Sequence, residues 1–223
     1  MPTVPEPADP VVTRLRRLCA RAVISLPAAG AGLSVVARDN QFSLLAAADE
    51  ASERLEELQL VLGEGPCIDA AAARRPVLID DVADVGPARW PVYADAIRDA
   101  GIRAIFAFPL QVGAAQLGVL DLFRAEPGAL SGPELHRALD LADEAVTILL
   151  DGQERSGGER PSGDTMAGPV ELFQAQGMVM IQIGGTLAEA MARIRAHAYA
   201  EDRRLIDVAR DIIGRHLRFG RTE

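Results

Sequence analysis

Residues 102–123, IRAIFAFPLQVGAAQLGVLDLF, decide the fold class. Two strongly apolar runs, Ile102–Leu110 and Gln116–Phe123, flank Gly113-Ala114. Their length and their branched and aromatic content read as strands, and the glycine sets a turn between them. Working toward the N-terminus, Pro91–Ala100 reads as a helix stopped by Gly101. Asp84–Trp90 holds Gly and Pro and reads as a loop, and Pro76–Ile79 as a short strand. Leu62–Ile68, LGEGPCI, is turn chemistry that leads into a short helix over Asp69–Ala73. Glu50–Leu58 is charged and reads as a loop or a short helix. Leu33–Arg38 and Phe42–Ala48 are strand-like and flank Asp39-Asn40, a good two-residue hairpin turn. Ahead of them, Asp9-Pro10 is an N-cap with proline at the first helical position. Val11, Leu15, Leu18, Cys19, Ala22, Val23 and Leu26 then follow helical spacing until Pro27.

Beyond the central hairpin, Ser131-Gly-Pro-Glu134 has capping-box spacing and opens a long helix. Its apolar stripe is Leu135, Ala138, Leu139, Ala142, Ala145, Val146 and Leu149. The resulting order of elements predicts an α+β domain over residues 11–151, an antiparallel sheet flanked by helices. Its two terminal helices are expected to pack together and to carry a homodimer interface. Residues 152–168 are dominated by Gly, Ser, Pro and charge and read as a flexible linker. Residues 169–223 resume helical patterning in three segments: Val170–Ile183, a second capping box at Thr186-Leu-Ala-Glu189, and an apolar set from Leu205 to Ile213. They predict a small all-α three-helix bundle, close to the lower size limit for independent stability. Residues 1–10 are polar and proline-rich and are expected to be disordered.

The chain has 223 residues, a net charge of −9 and 49% hydrophobic residues, enough for a packed core. All of its 23 basic residues are arginine. Residues 1–169 hold 15 Arg against 25 Asp and Glu, whereas residues 170–223 hold 8 Arg against 7 acids. This asymmetry allows polyanion contact by the tail and argues against it for the body. No apolar h-region opens the chain and no run of about 18 uncharged apolar residues occurs, so a cytoplasmic protein without membrane contact is expected. The two cysteines, Cys19 and Cys67, form neither a disulfide framework nor a zinc motif. No nucleophile–base arrangement and no phosphate-cradling glycine loop is visible, so neither catalysis nor a metal centre is expected.

Leu62–Ile68, Arg89-Trp90-Pro91, Pro109-Leu110 and Leu117-Gly118-Val119-Leu120 together resemble a GAF domain, of the type written Gly-Glu-Gly-Pro-Cys, then Arg-Trp-Pro, then a strand ending Pro-Leu. From Gln174 onward the tail resembles an ANTAR domain. Gln174-Ala-Gln-Gly-Met-Val-Met180 matches that family's first helix. Thr186-Leu-Ala-Glu-Ala190, Arg195, Arg204-Leu205 and Asp207-Val-Ala209 match its second and third helices. Gln176 departs from the family, which often has a basic residue there. The resemblance implies a small-molecule pocket in the first domain, with the cofactor or ligand unknown. It implies that the tail binds RNA stem-loops in nascent transcripts and prevents termination, acting as a dimer under control of the sensor.

The candidate RNA contacts are Arg195, Arg203, Arg204, Arg210, Arg215 and Arg218. On one ideal third helix, Arg204, Arg215 and Arg218 share a strip beside the apolar face, where guanidinium groups suit phosphates and unpaired bases. A solvated, salt-bridged surface is the alternative for the same residues. Cys67, Trp90 and Tyr93 are the candidate ligand-binding residues, with a small buried hydrophobe and core anchors as the alternatives. Two other functions fit the same pattern: a DNA-binding regulator built on a helix-turn-helix, and a small-molecule or protein-interaction module whose tail only dimerises.

Overall fold

A computed structural model describes residues 11–36, 42–155 and 167–220. The expected disorder of residues 1–10, the Asp9-Pro10 cap, the Asp39-Asn40 turn and the centre of the expected linker lie outside those residues.

The sequence that opens the fold, α1 (Val11–Ser25), leads into β1 (Gly30–Val36) and β2 (Phe42–Ala47). Then come α2 (Glu50–Leu62), α3 (Pro66–Ala73), β3 (Val77–Ile79), α4 (Val82–Arg89) and α5 (Pro91–Asp99). The central hairpin is β4 (Ala104–Val112) and β5 (Ala115–Arg124), and α6 (Gly132–Arg155) closes the domain. The five strands form one sheet in the order β2-β1-β5-β4-β3, with every neighbouring pair antiparallel. The α+β expectation for this part is met.

Strand alternation divides the core in two. Ala104, Phe106, Phe108, Leu110, Leu120 and Leu122 face α1 and α6. Ile105, Ala107, Val119 and Phe123 face α3 and α5 on the other side. The middle strands are thus covered on both faces, which is why they read as nearly unbroken apolar runs. On the first face Arg14 pairs with Asp151 and Arg21 with Glu144, tying α1 to α6.

Glu50–Leu58, expected as a loop or a short helix, belongs to a longer helix, and Asp84–Trp90, expected as a loop, is largely helical. Glu50–Leu62 is a thirteen-residue helix, capped by Asp49, whose side chain accepts from Ser52 N at 2.8 Å. It ends on Gly63 at φ 71°, the left-handed geometry that glycine adopts without strain. Its buried face carries Ser52, Glu56 and Gln59 beside Leu55, Leu60 and Val61, so a hydrophobic period could not reveal it. Val82–Arg89 is helical despite Gly86 and Pro87, because Asp81 caps it by accepting from Ala83 N at 3.0 Å. Asp81 is also paired with Arg103.

The remaining helices are α7 (Ala167–Ile183), α8 (Leu187–Ala200) and α9 (Leu205–Ile213). The expected linker bounds are therefore too wide at both ends, since α6 continues to Arg155 and α7 begins at Ala167. Ala175, Val179, Ala190, Met191, Ile194, Ala198, Val208, Ala209 and Ile212 make a core of their own. Val61 of α2 belongs to the same core, so the three-helix unit rests on the α+β domain. Thr186 and Glu189 form the reciprocal capping box at the start of α8. No helix of the described residues is long and apolar enough to cross a membrane.

Candidate functional site

The inner face of α2 delivers polar groups to the sheet. Ser34 Oγ donates to Glu56 Oε2 at 2.9 Å, and Gln59 Nε2 donates to Asp121 Oδ2 at 2.6 Å. Gln59 Oε1 accepts from the backbone N–H of Cys67 at 2.8 Å. Ser34, Glu56, Gln59, Cys67, Tyr93 and Asp121 are all fully buried. Glycine makes room for this arrangement. A Cβ at Gly32 would overlap the Glu56 side chain, and one at Gly65 would overlap Gln59. Apart from a proton shared between the two carboxyls, three polar atoms in the cluster have no hydrogen-bond partner: Glu56 Oε1, Asp121 Oδ1 and Tyr93 OH.

Burial governs the charge here, because a low-dielectric surrounding penalises the ionised form. It pushes the Glu56 carboxyl well above the usual range, and Asp121 beside it adds to the rise. Burial raises Asp121 to about 6, opposed by hydrogen bonding from Glu56 and Gln59. The two carboxyls titrate as a pair and retain a shared proton. The Cys67 thiol and the Tyr93 phenol are raised by burial and then by Asp121 and Glu56, so both are protonated near neutrality.

The two motif segments clasp each other around this cluster. In Gly63-Glu64-Gly65-Pro66-Cys67, Gly63 ends α2 and Pro66 starts α3. Glu64 reaches across to the start of α5, where Oε1 accepts from Val92 N at 2.9 Å and Tyr93 N at 2.8 Å. In Arg89-Trp90-Pro91, Arg89 pairs with Asp69 of α3 and lies over the Trp90 ring at 4.8 Å. Trp90 Nε1 donates to the same Asp69 carboxylate at 3.2 Å. Cys67, Trp90 and Tyr93 are brought together in one core, Trp90 at 2% exposure and the others at 0%. Cys67 and Tyr93 reach the polar cluster, whereas Trp90 is an anchor whose polar edge is used by Asp69.

Sequence reasoning missed Ser34, Glu56, Gln59 and Asp121. The legible signal was Ser52, Glu56 and Gln59 at helical spacing within a charged stretch, together with an aspartate inside the apolar run Val119–Phe123.

The arginines are dispersed differently from the expected strip. The third helix ends at Ile213, and Arg215 has φ 61°, so Arg215 and Arg218 lie beyond it and do not continue a face from Arg204. Arg204 stands at the N-cap of α9. Its guanidinium donates to Glu57 at 2.6 Å and to Glu53 at 2.9 Å, both on the outer side of α2. These contacts hold Arg204 firmly protonated. Arg203 pairs with Asp211 at 2.8 Å and Arg210 with Glu171 at 3.2 Å. Arg195 is half-buried against Gly63, and burial lowers its pKa. Among the described residues no carboxylate pairs with Arg215 or Arg218, and both are exposed. Gln176 is fully buried and donates to Leu187 O at 2.8 Å, so this residue, which departs from the pattern the tail resembles, joins α7 to α8.

An antiparallel sheet in the order 2-1-5-4-3, with helices on both faces and a cluster enclosed under α2 and α5, defines an α+β domain of one antiparallel sheet between two helical layers. A family model described as GAF domain matches residues 11–151, and the chain belongs to that family. Solved structures are similar over the same part. The GAF domain region of a Geobacter sulfurreducens PCA protein aligns at 14% identity and TM-score 0.54, covering 63% of this chain and 93% of that one. The GAF domain of a Coxiella burnetii phosphoenolpyruvate-protein phosphotransferase aligns at 20% identity and TM-score 0.54, covering 67% and 89%. The GAF3 domain of Slr1393 from Synechocystis sp. PCC6803, in its photoproduct state, aligns at 16% identity and TM-score 0.52, covering 65% and 95%. No curated protein matches this chain in sequence. A GAF domain is typically a signal-sensing module, and such domains often bind small molecules.

Proposed function

We propose that the protein is a cytosolic, non-enzymatic, signal-responsive transcription antiterminator. In this reading α7–α9 form an ANTAR-like unit that binds RNA stem-loops in nascent transcripts, and the GAF domain controls it. The order of ANTAR-like motifs from Gln174 to Ala209 supports the RNA assignment. Control by the sensor rests on one observation: Arg204, a candidate RNA contact, is held by Glu53 and Glu57 of α2. A guanidinium offers carboxylates the same fork of donors that it offers phosphates. The two glutamates therefore compete with RNA for Arg204, and they add negative charge where a phosphate would approach.

α2 is suited to carry a signal because one helix serves both regions. Glu56 faces the buried cluster, while Glu53 and Glu57 face Arg204. A small molecule that changes the cluster shifts α2 and frees the arginine, leaving it with the exposed Arg215 and Arg218. Homodimerisation through α1 and α6 fits the exposed Ile24 and Leu139 on those helices.

The test is fluorescence anisotropy of the full chain with a two-hairpin RNA from the transcript leader nearest its gene. Matched duplex DNA and scrambled RNA are the controls, at two salt concentrations. Selective hairpin binding that weakens with salt is expected. Arg204→Ala lowers affinity about fivefold or more and makes the salt dependence shallower by about one phosphate contact. Equal binding of hairpin and scrambled RNA, or preference for duplex DNA, overturns the reading.

A further inference from the structure

Glu56, Cys67 and Asp121 come from α2, α3 and β5 and converge in the interior of the sensor domain. One carboxylate oxygen of each acid and the Cys67 sulfur all lie within 4.8 Å of one another. Each acid has one oxygen fixed by a donor, Ser34 for Glu56 and Gln59 for Asp121. The other oxygen of each, Glu56 Oε1 and Asp121 Oδ1, has no donor besides the proton that the two carboxyls share. Tyr93 OH, from α5, is buried and unpartnered in the same region.

A packed core ordinarily pairs its buried polar atoms, and open acceptors cost free energy. Here the buried polar side chains near the cluster are Ser34, Glu56, Gln59 and Asp121, and none is a cation. The arrangement is that of ligands oriented from behind: one oxygen held, the other presented.

We propose that Cys67 Sγ, Glu56 and Asp121 form a binding site for a divalent transition-metal ion of the zinc type. A thiolate with two carboxylates selects such an ion over Mg2+ or Ca2+, which take oxygen ligands. Ligand atoms around a tetrahedral ion stand about 3.5 Å apart, so small side-chain adjustments close the site from its present spacing. Ser34 and Gln59 are its orienting residues. Three protein ligands leave a fourth position on the side of Tyr93, open to the phenol oxygen, water or a small anionic signal. Binding takes up the two carboxylate oxygens and displaces to solvent both the proton held by the Glu56–Asp121 pair and the Cys67 thiol proton. No electron transfer is involved. The sequence spacing conceals the site because its ligands come from three separate elements. The proposal stands on the sensor domain alone and does not depend on RNA binding by the tail.

The test is titration of the full-length, reduced, chelator-treated protein with Co2+ and then Zn2+. One equivalent of Co2+ is expected to give a near-ultraviolet thiolate charge-transfer band and visible bands of tetrahedral intensity. Zn2+ displaces it and excess Mg2+ does not. Zn2+ raises the Tm of the wild type. Cys67→Ser removes the charge-transfer band, and Glu56→Gln abolishes the Zn2+-dependent rise in Tm. Cys19→Ser, at the other buried thiol, leaves both unchanged. Ser34→Ala, which keeps all three ligands, weakens Zn2+ binding about tenfold. Circular dichroism identifies the variants that fold, and Ser34→Ala provides the affinity readout if a ligand variant does not. Wild type binding no Co2+ or Zn2+ more tightly than about 10 µM overturns the proposal. So does a charge-transfer band that survives Cys67→Ser, or Zn2+ affinity unchanged in Ser34→Ala.

Discussion

Asp121 shows how one residue departs from its strand. Its neighbours Leu120 and Leu122 build the core against α1 and α6, while Asp121 itself turns toward α2 and is completely buried. The metal-free protein carries this acid and Glu56 at a cost in stability that depends on pH. Both have folded pKa values above their unfolded ones, so their contribution is fully present below the unfolded values and is lost as pH rises through the folded ones. For Asp121 the fall runs from about pH 4 to about pH 6, and Glu56, also raised, adds to it. Glu56→Gln is expected to reduce this slope and to stabilise the metal-free protein above that range, measured by urea unfolding at a series of pH values. A steeper slope in the variant contradicts the assignment. Gly65 is equally specific. At φ 137° and against Gln59, it has no room for a side chain. Gly65→Ala is expected to cost about 2 kcal/mol or more and to disturb the Gln59–Asp121 bond, measured by denaturant unfolding.

At the scale of elements, the outcome follows how each face is built. The central hairpin was legible because both faces of β4 and β5 are apolar, leaving a long run that only a covered strand explains. The long closing helix and α8 were legible through their capping boxes. Thr186→Ala removes the bond that Oγ1 accepts from Glu189 N at 3.2 Å and the one it donates to Glu189 Oε2 at 3.0 Å, and leaves the backbone N–H of residue 186 bonded to Glu189. It is expected to cost about 1 kcal/mol, read from thermal unfolding of the full chain. By contrast, α2 was hidden because Ser52, Glu56 and Gln59 occupy its inner face, so the rule that apolar means buried pointed the wrong way. The cluster was hidden with it, since α2 supplies Glu56 and Gln59. The apolar set of the third helix ends at Ile213 as the helix does, but the expected arginine strip requires an ideal helix continued to Arg218. Gly214 and the left-handed Arg215 end the helix, and helical geometry can no longer align Arg204 with Arg218.

Across the whole molecule, the main seam runs between α2 and the three-helix unit. Val61 places an apolar residue of α2 in the tail's core, so the small unit gains support that its own length does not provide. Where α9 meets α2 and β2, a cleft of about 580 Å³ is lined by residues that include Arg16, Glu53, Glu57, Arg204, Asp207 and Arg210. A polar seam of this kind is easier to open than a closed apolar one, and its ion pairs are partly screened. Arg204 is 42% exposed and Glu57 13%, which limits each pair to about 1 kcal/mol or less. That is small enough to be overcome by a signal and large enough to bias the tail. The sequence showed the charge asymmetry of body and tail, yet a pairing between residues so far apart in the chain had no local signature. The most direct measurement compares hairpin RNA affinity of the wild type with that of Glu53→Gln/Glu57→Gln. The account predicts binding tighter by about fivefold to tenfold in the double variant, because Arg204 is released and two negative charges are removed. Unchanged or weaker binding would contradict control of the tail by α2.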